Sequence, residues 1–78
     1  MELQVIKDII ANIMNIDTDL ITEETTFIDD LGADSLDIFQ IVMAIEEEYD
    51  IELDNEMIEQ IQTIKDAVDI IRIVMMQE

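Results

Sequence analysis

The sequence predicts an all-α fold, a small bundle of three main helices plus one short helix. Two observations carry that prediction. Apolar residues recur at the helical period in three separate segments. Residues that cap helices stand at the ends of those segments. Isoleucine is frequent and favours strands, but the 3.6-residue period and the caps outweigh that preference.

The first helix is read from Leu3, Ile6, Ile9, Ile10, Ile13 and Met14, about four turns with one apolar face. Asn15 to Asp19 ends it with turn-forming residues. A long connection without periodicity then runs to Asp34, with Leu20, Ile21, Phe27, Ile28 and Leu31 expected to tack it onto the core. Gly32 supplies the one residue free to take positive φ just before the next helix. That second helix starts at Asp34/Ser35 and runs to about Tyr49, with Asp34 as N-cap and Asp37 completing a variant of the capping box. Asp50 to Asn55 is a connection, and a short helix spans about Glu56 to Ile61. The last helix has Thr63 as its cap, with Ile64, Ala67, Val68, Ile71 and Met75 on one face. No repeat, low-complexity tract or linker divides the chain, so residues 1–78 read as one domain.

Composition narrows function. A chain of 78 residues is near the lower size for an unaided core, and a large substrate pocket is hard to build in it. Half of the residues are apolar, with only two phenylalanines and one tyrosine, so the core is aliphatic. Net charge is −18, from 21 acidic residues against Lys7, Lys65 and Arg72. Such a field repels nucleic acid and anionic membranes and favours basic protein surfaces. Self-repulsion also weakens the compact state, so added salt or divalent cations are expected to stabilise it. With no cysteine there is no disulfide, thiolate metal site or thiol nucleophile. The start of the chain lacks a basic n-region, and no apolar run is long enough to span a bilayer, so a cytoplasmic monomer is expected.

Ser35 is the residue that bears chemistry. It lies at a helix start among carboxylates in a chain without histidine, so no general base can activate it, and the flanking glycines of a nucleophile elbow are missing. It is either a plain first-turn serine or a hydroxyl modified by another protein. A phosphodiester there would meet the positive end of the helix dipole, although Asp34 and Asp37 would repel it. Those carboxylates make better sense as handles for a modifying enzyme. No EF-hand register fits from Asp17, Asp19 or Asp29, and no metal site is expected.

At about 100° per residue, Ile38, Ile41, Val42, Ile45 and Tyr49 form one stripe of the second helix. Leu36, Phe39 and Met43 form another, bordered by Gln40, Glu46 and Glu47. The second stripe either packs under the long loop or is an exposed patch for recognition by several proteins.

The run Asp30-Leu31-Gly32-Ala33-Asp34-Ser35-Leu36-Asp37, followed by Val42-Met43-Ala44-Ile45-Glu46-Glu47-Glu48-Tyr49, closely resembles the acyl carrier proteins of dissociated (type II) fatty acid synthesis. The resemblance continues through Phe27-Ile28-Asp29, Ile51-Glu52-Leu53 and Thr63-Ile64-Lys65-Asp66-Ala67-Val68 and covers essentially the whole chain. It implies a four-helix bundle that catalyses nothing itself. A phosphopantetheinyl transferase would place 4′-phosphopantetheine from coenzyme A on Ser35, and the arm would carry acyl chains as thioesters for fatty acid biosynthesis. Asp34, Leu36, Asp37, Phe39, Met43, Glu46 and Glu47 would form the docking face for acyl-processing enzymes with basic surfaces. Ile38, Val42, Ile45 and Ile61 would line the acyl cavity. Five positions depart from the family pattern. Gln40 stands where a carboxylate is usual and Phe39 where an aliphatic residue is usual. Asp54 replaces a common proline, which should loosen the start of the third helix, and Ile58 with Met57 should deepen or plug the cavity. These departures keep a polyketide or other specialised carrier as the alternative. The long loop and the short helix are expected to be the least stable parts.

Overall fold

The apolar period and the caps resolve into four helices. The computed structural model describes residues 2–76. It gives α1 (Glu2–Met14), a 3-10 turn (Thr18–Leu20), α2 (Ser35–Tyr49), α3 (Asn55–Gln60) and α4 (Ile64–Met76). No strand is present among the described residues, apart from a single antiparallel bridge between Thr26 and Thr63.

The core is aliphatic. Ile6 and Ile10 of α1, Ile41 and Ile45 of α2, and Ile64 and Ile71 of α4 are almost wholly withdrawn from solvent. Each such side chain contributes about 1.5–3 kcal/mol by leaving water. Truncating one to alanine would cost ~2–5 kcal/mol, a large share of what so small a domain has. On α4 the buried stripe takes Ile70 and Val74 rather than the expected Met75, which is half exposed.

Helix ends follow local chemistry. α1 stops at Asn15 (φ 58) and α2 at Asp50 (φ 55), both left-handed without being glycine. At the second stop Ile51 N–H donates to the Glu46 carbonyl at 3.1 Å, closing the last turn. α4 opens with a reciprocal pair: Asp66 N–H donates to Thr63 Oγ1, and Thr63 N–H donates to the Asp66 carboxylate, both at 3.1 Å. α3 starts one residue before the expected Glu56. Asp54 is its cap, accepting from Met57 N–H at 2.9 Å, so it fixes the helix start that its replacement of proline was expected to loosen.

The long connection is tied down by more than side chains. Phe27 N–H donates to Gln62 O, Ile64 N–H to Thr25 O and Lys65 N–H to Glu23 O, each at 3.0 Å. These bonds stitch it to the junction of α3 and α4. Ile21 and Phe27 are buried, whereas Leu20 and Ile28, expected to anchor the loop, are mostly exposed. α3, the other part expected to be least stable, has six residues and none buried. An exposed ion pair joins the ends of the chain, Arg72 Nε to Glu2 Oε1 at 2.8 Å. That hydrogen bond holds the Glu2 carboxyl below its ordinary range and raises Arg72. Burial pushes the Tyr49 phenol up, and its hydroxyl is buried without a hydrogen-bond partner.

Candidate functional site

The segment leading to Ser35 is built from short-range hydrogen bonds. Thr26 N–H donates to Asp30 Oδ2 and Asp30 N–H to Thr26 Oγ1, both at 2.9 Å. Leu31 N–H reaches back to Thr26 O, Gly32 N–H to Ile28 O, and Ala33 N–H to Phe27 O at 2.9 Å. Gly32 then turns the chain at φ 68. A Cβ built on it would meet nothing within 4 Å, so glycine is required there by backbone conformation rather than by crowding. Buried Ala33 fixes the turn to the core.

Next comes the capping box. The Asp34 carboxylate accepts Asp37 N–H at 2.9 Å, and Asp37 Oδ2 accepts Asp34 N–H at 3.2 Å. Asp34 and Asp37 therefore do the capping, and Ser35, exposed at the first position of α2, is relieved of it. No cation lies in the sequence between Thr26 and Gln62, and the Asp34 and Asp37 carboxylates meet backbone N–H groups instead.

Ser35 opens on a groove of about 390 Å³ lined by Ile28, Ile38, Phe39, Asn55, Ile58, Glu59 and Ile61. Its walls come from the loop, α2 and α3. Asn55, Ile58 and Glu59 share one face of α3 at spacings of three and four residues, a pattern readable in the sequence once the helix start is known. Asn55, Glu59 and Ile28 were missed as groove residues.

The second apolar stripe of α2 is exposed. Leu36, Phe39 and Met43 are 65%, 58% and 57% accessible, so they do not pack under the loop. Glu47 is exposed beside them. Glu46 differs: it is half-buried, and its Oε2 accepts Leu53 N–H at 2.8 Å, which pins the α2–α3 connection. The expected cavity residues Ile38, Val42, Ile45 and Ile61 do converge, but on a void of only about 10 Å³. Among the described residues no cluster of side chains could hold a metal ion, and no helix is long and apolar enough to cross a membrane.

Comparison with known proteins matches this geometry. A family model described as the phosphopantetheine attachment site matches residues 4–71. An acyl carrier protein of Syntrophobacter fumaroxidans is 52% identical over 64 residues, 82% of this chain and 79% of that protein. The acyl carrier protein of Enterococcus faecalis superposes with a TM-score of 0.79 at 36% identity, over 94% of this chain and 92% of that one. The crystal structure of the acyl carrier protein of Thermotoga maritima gives a TM-score of 0.82 at 31% identity, over 99% and 94%.

Proposed function

The chain belongs to the acyl carrier protein family, defined by its phosphopantetheine attachment site, and from that premise we propose that Ser35 is the attachment residue of a carrier serving fatty acid biosynthesis. The cofactor is 4′-phosphopantetheine, whose terminal thiol holds acyl groups as thioesters. The residues present fit such a group. An exposed hydroxyl, free of capping duty, lies at the start of a 15-residue helix and borders a groove with apolar walls and two polar side chains, Asn55 and Glu59. The helix N-terminus favours a phosphodiester, while Asp34 and Asp37 oppose it. The exposed Ser35 hydroxyl at that helix start is the observation that carries the proposal.

This chain's own residues present, orient and are recognised. Gly32 and the Thr26–Asp30 pair set the backbone that enters α2, and the capping box holds the first turn. Leu36, Phe39 and Met43 offer apolar contact, and Asp34, Asp37 and Glu47 offer charge, to a phosphopantetheinyl transferase and to acyl-processing enzymes with basic faces. Glu46 contributes through its free oxygen and through the connection it pins. No residue is assigned a catalytic role: the chain has no histidine to activate Ser35, and the Asp34 and Asp37 carboxylates are engaged in the capping box. The reading is of a cytoplasmic monomer.

A polyketide or other specialised carrier is the second reading, favoured by two exposed departures, Phe39 and Gln40. Malonyl transfer separates the two. After loading with phosphopantetheine, a malonyl transferase of fatty acid synthesis should charge this chain at a rate comparable with that of its own carrier. Efficient loading that is then ignored by that transferase would move the chain to the specialised class.

A further inference from the structure

The groove beside Ser35 and the small void inside the bundle are separate spaces. Only two residues, Ile38 and Ile61, line both. On the outer side the groove has about 390 Å³; on the inner side about 10 Å³ remains, less than an acyl tail needs. We propose that Ile38 and Ile61 form a closed partition that limits the acyl chain this carrier hides to a short one, held in the outer groove. The inference rests on the carrier reading of Ser35.

The two halves of the partition are held differently. Ile38 stands in the first turns of α2, a 15-residue helix with Ile41, Val42 and Ile45 buried behind it. Ile61 follows the last residue of α3, in extended backbone (φ −79, ψ 111), its N–H bonded only back to Ile58 O at 3.1 Å. With no residue of α3 buried, Ile61 is the movable half. The bond from Phe27 N–H to Gln62 O ties the loop bearing Ile28 to the residue after Ile61, so the freedom of Ile61 comes from the α3 side alone. Opening the interior therefore means displacing Ile61 from Ile38 and exposing apolar surface to water. That cost keeps the tail in the outer groove.

The groove's capacity follows from its size. A cavity of ~150 Å³ takes a six-carbon ring, so a groove of 390 Å³ shared with the thioester end of the arm holds a tail of on the order of eight carbons. Ile58 narrows it on the α3 side, and Phe39 on the α2 side.

The test is a series of wild-type protein loaded at Ser35 with acyl-phosphopantetheine of two to fourteen carbons, each species verified by intact mass. Tm should rise by roughly 6–13 °C for every two carbons that become buried, then level off near eight. Ile61→Ala, and separately Ile38→Ala on the rigid helix, should move the plateau to longer chains. A Tm that climbs steadily to fourteen carbons in the wild type, or that never rises, would overturn the partition. So would a plateau unmoved in both variants. Protein that takes up no phosphopantetheine at all would instead overturn the carrier reading beneath it.

Discussion

Gly32→Ala separates two reasons for a glycine just before the Ser35 helix start. The backbone at Gly32 is left-handed, and a Cβ there meets open space, so the whole cost is conformational. A non-glycine residue in that region costs about 1–2 kcal/mol. The alanine chain also has less entropy to lose on folding, which returns ~0.4–1 kcal/mol. The net loss is about 1 kcal/mol, a fall in Tm of ~4–8 °C for a domain of this size. Gly32→Asn should lose less, because asparagine tolerates the left-handed region better. The converse holds at Asn15, which occupies φ 58 without being glycine: Asn15→Gly should be neutral or slightly stabilising. Thermal unfolding followed by far-UV circular dichroism reads all three. An unchanged Tm for Gly32→Ala would mean that the turn relaxes out of the left-handed region, and a loss several times larger would mean that the Cβ meets atoms after all. Either result would refute the reasoning.

Three further outcomes are expected. Phe39→Ala and Met43→Ala, both solvent-facing, should leave stability within about 0.5 kcal/mol of the parent while weakening transferase and acyl-enzyme binding at least ~10-fold; a stability loss without a binding loss would make them packing residues. Glu2 has a folded-state pKa below its usual 4.5 through its bond to Arg72, so its contribution is present above that value and lost as pH falls through the lower one. The stability difference between wild type and Glu2→Gln, measured by denaturant titration, should therefore shrink on acidification below pH 4.5, and a difference that grows there would contradict the pairing. Native-state hydrogen exchange should find the α3 amides far less protected than those of Phe27, Ile64 and Lys65, and equal protection would refute the view of α3 as the loose element.

Most of the architecture was legible in the sequence because its signals are local. Asp34 with Asp37, and Thr63 with Asp66, are spaced for reciprocal capping, and both pairs form. Gly32 sits where positive φ is needed. What escaped leaves no periodic signal in the sequence. The order in the long loop comes from backbone bonds to the α3–α4 junction and from a Thr26–Asp30 pair outside any helix, and neither leaves a period. Ile28 looks like an anchor but faces the groove, since the turn at Thr26 to Leu31 rotates it outward. Glu46 reads as one more surface carboxylate, and only the fold brings Leu53 N–H to it. The site was legible at Ser35 and along the exposed stripe of α2. The groove was not, because three of its eight lining residues come from a six-residue helix whose facing depends on where Asp54 starts it.

The central claim is that the Ser35 hydroxyl accepts the arm. Intact-protein mass spectrometry after incubation with coenzyme A, magnesium and a promiscuous phosphopantetheinyl transferase tests it most directly, with Ser35→Ala as the control. One added phosphopantetheine on the wild type and none on the variant is the predicted result. An unmodified wild type that is demonstrably folded, or a variant that still gains the mass, would contradict it.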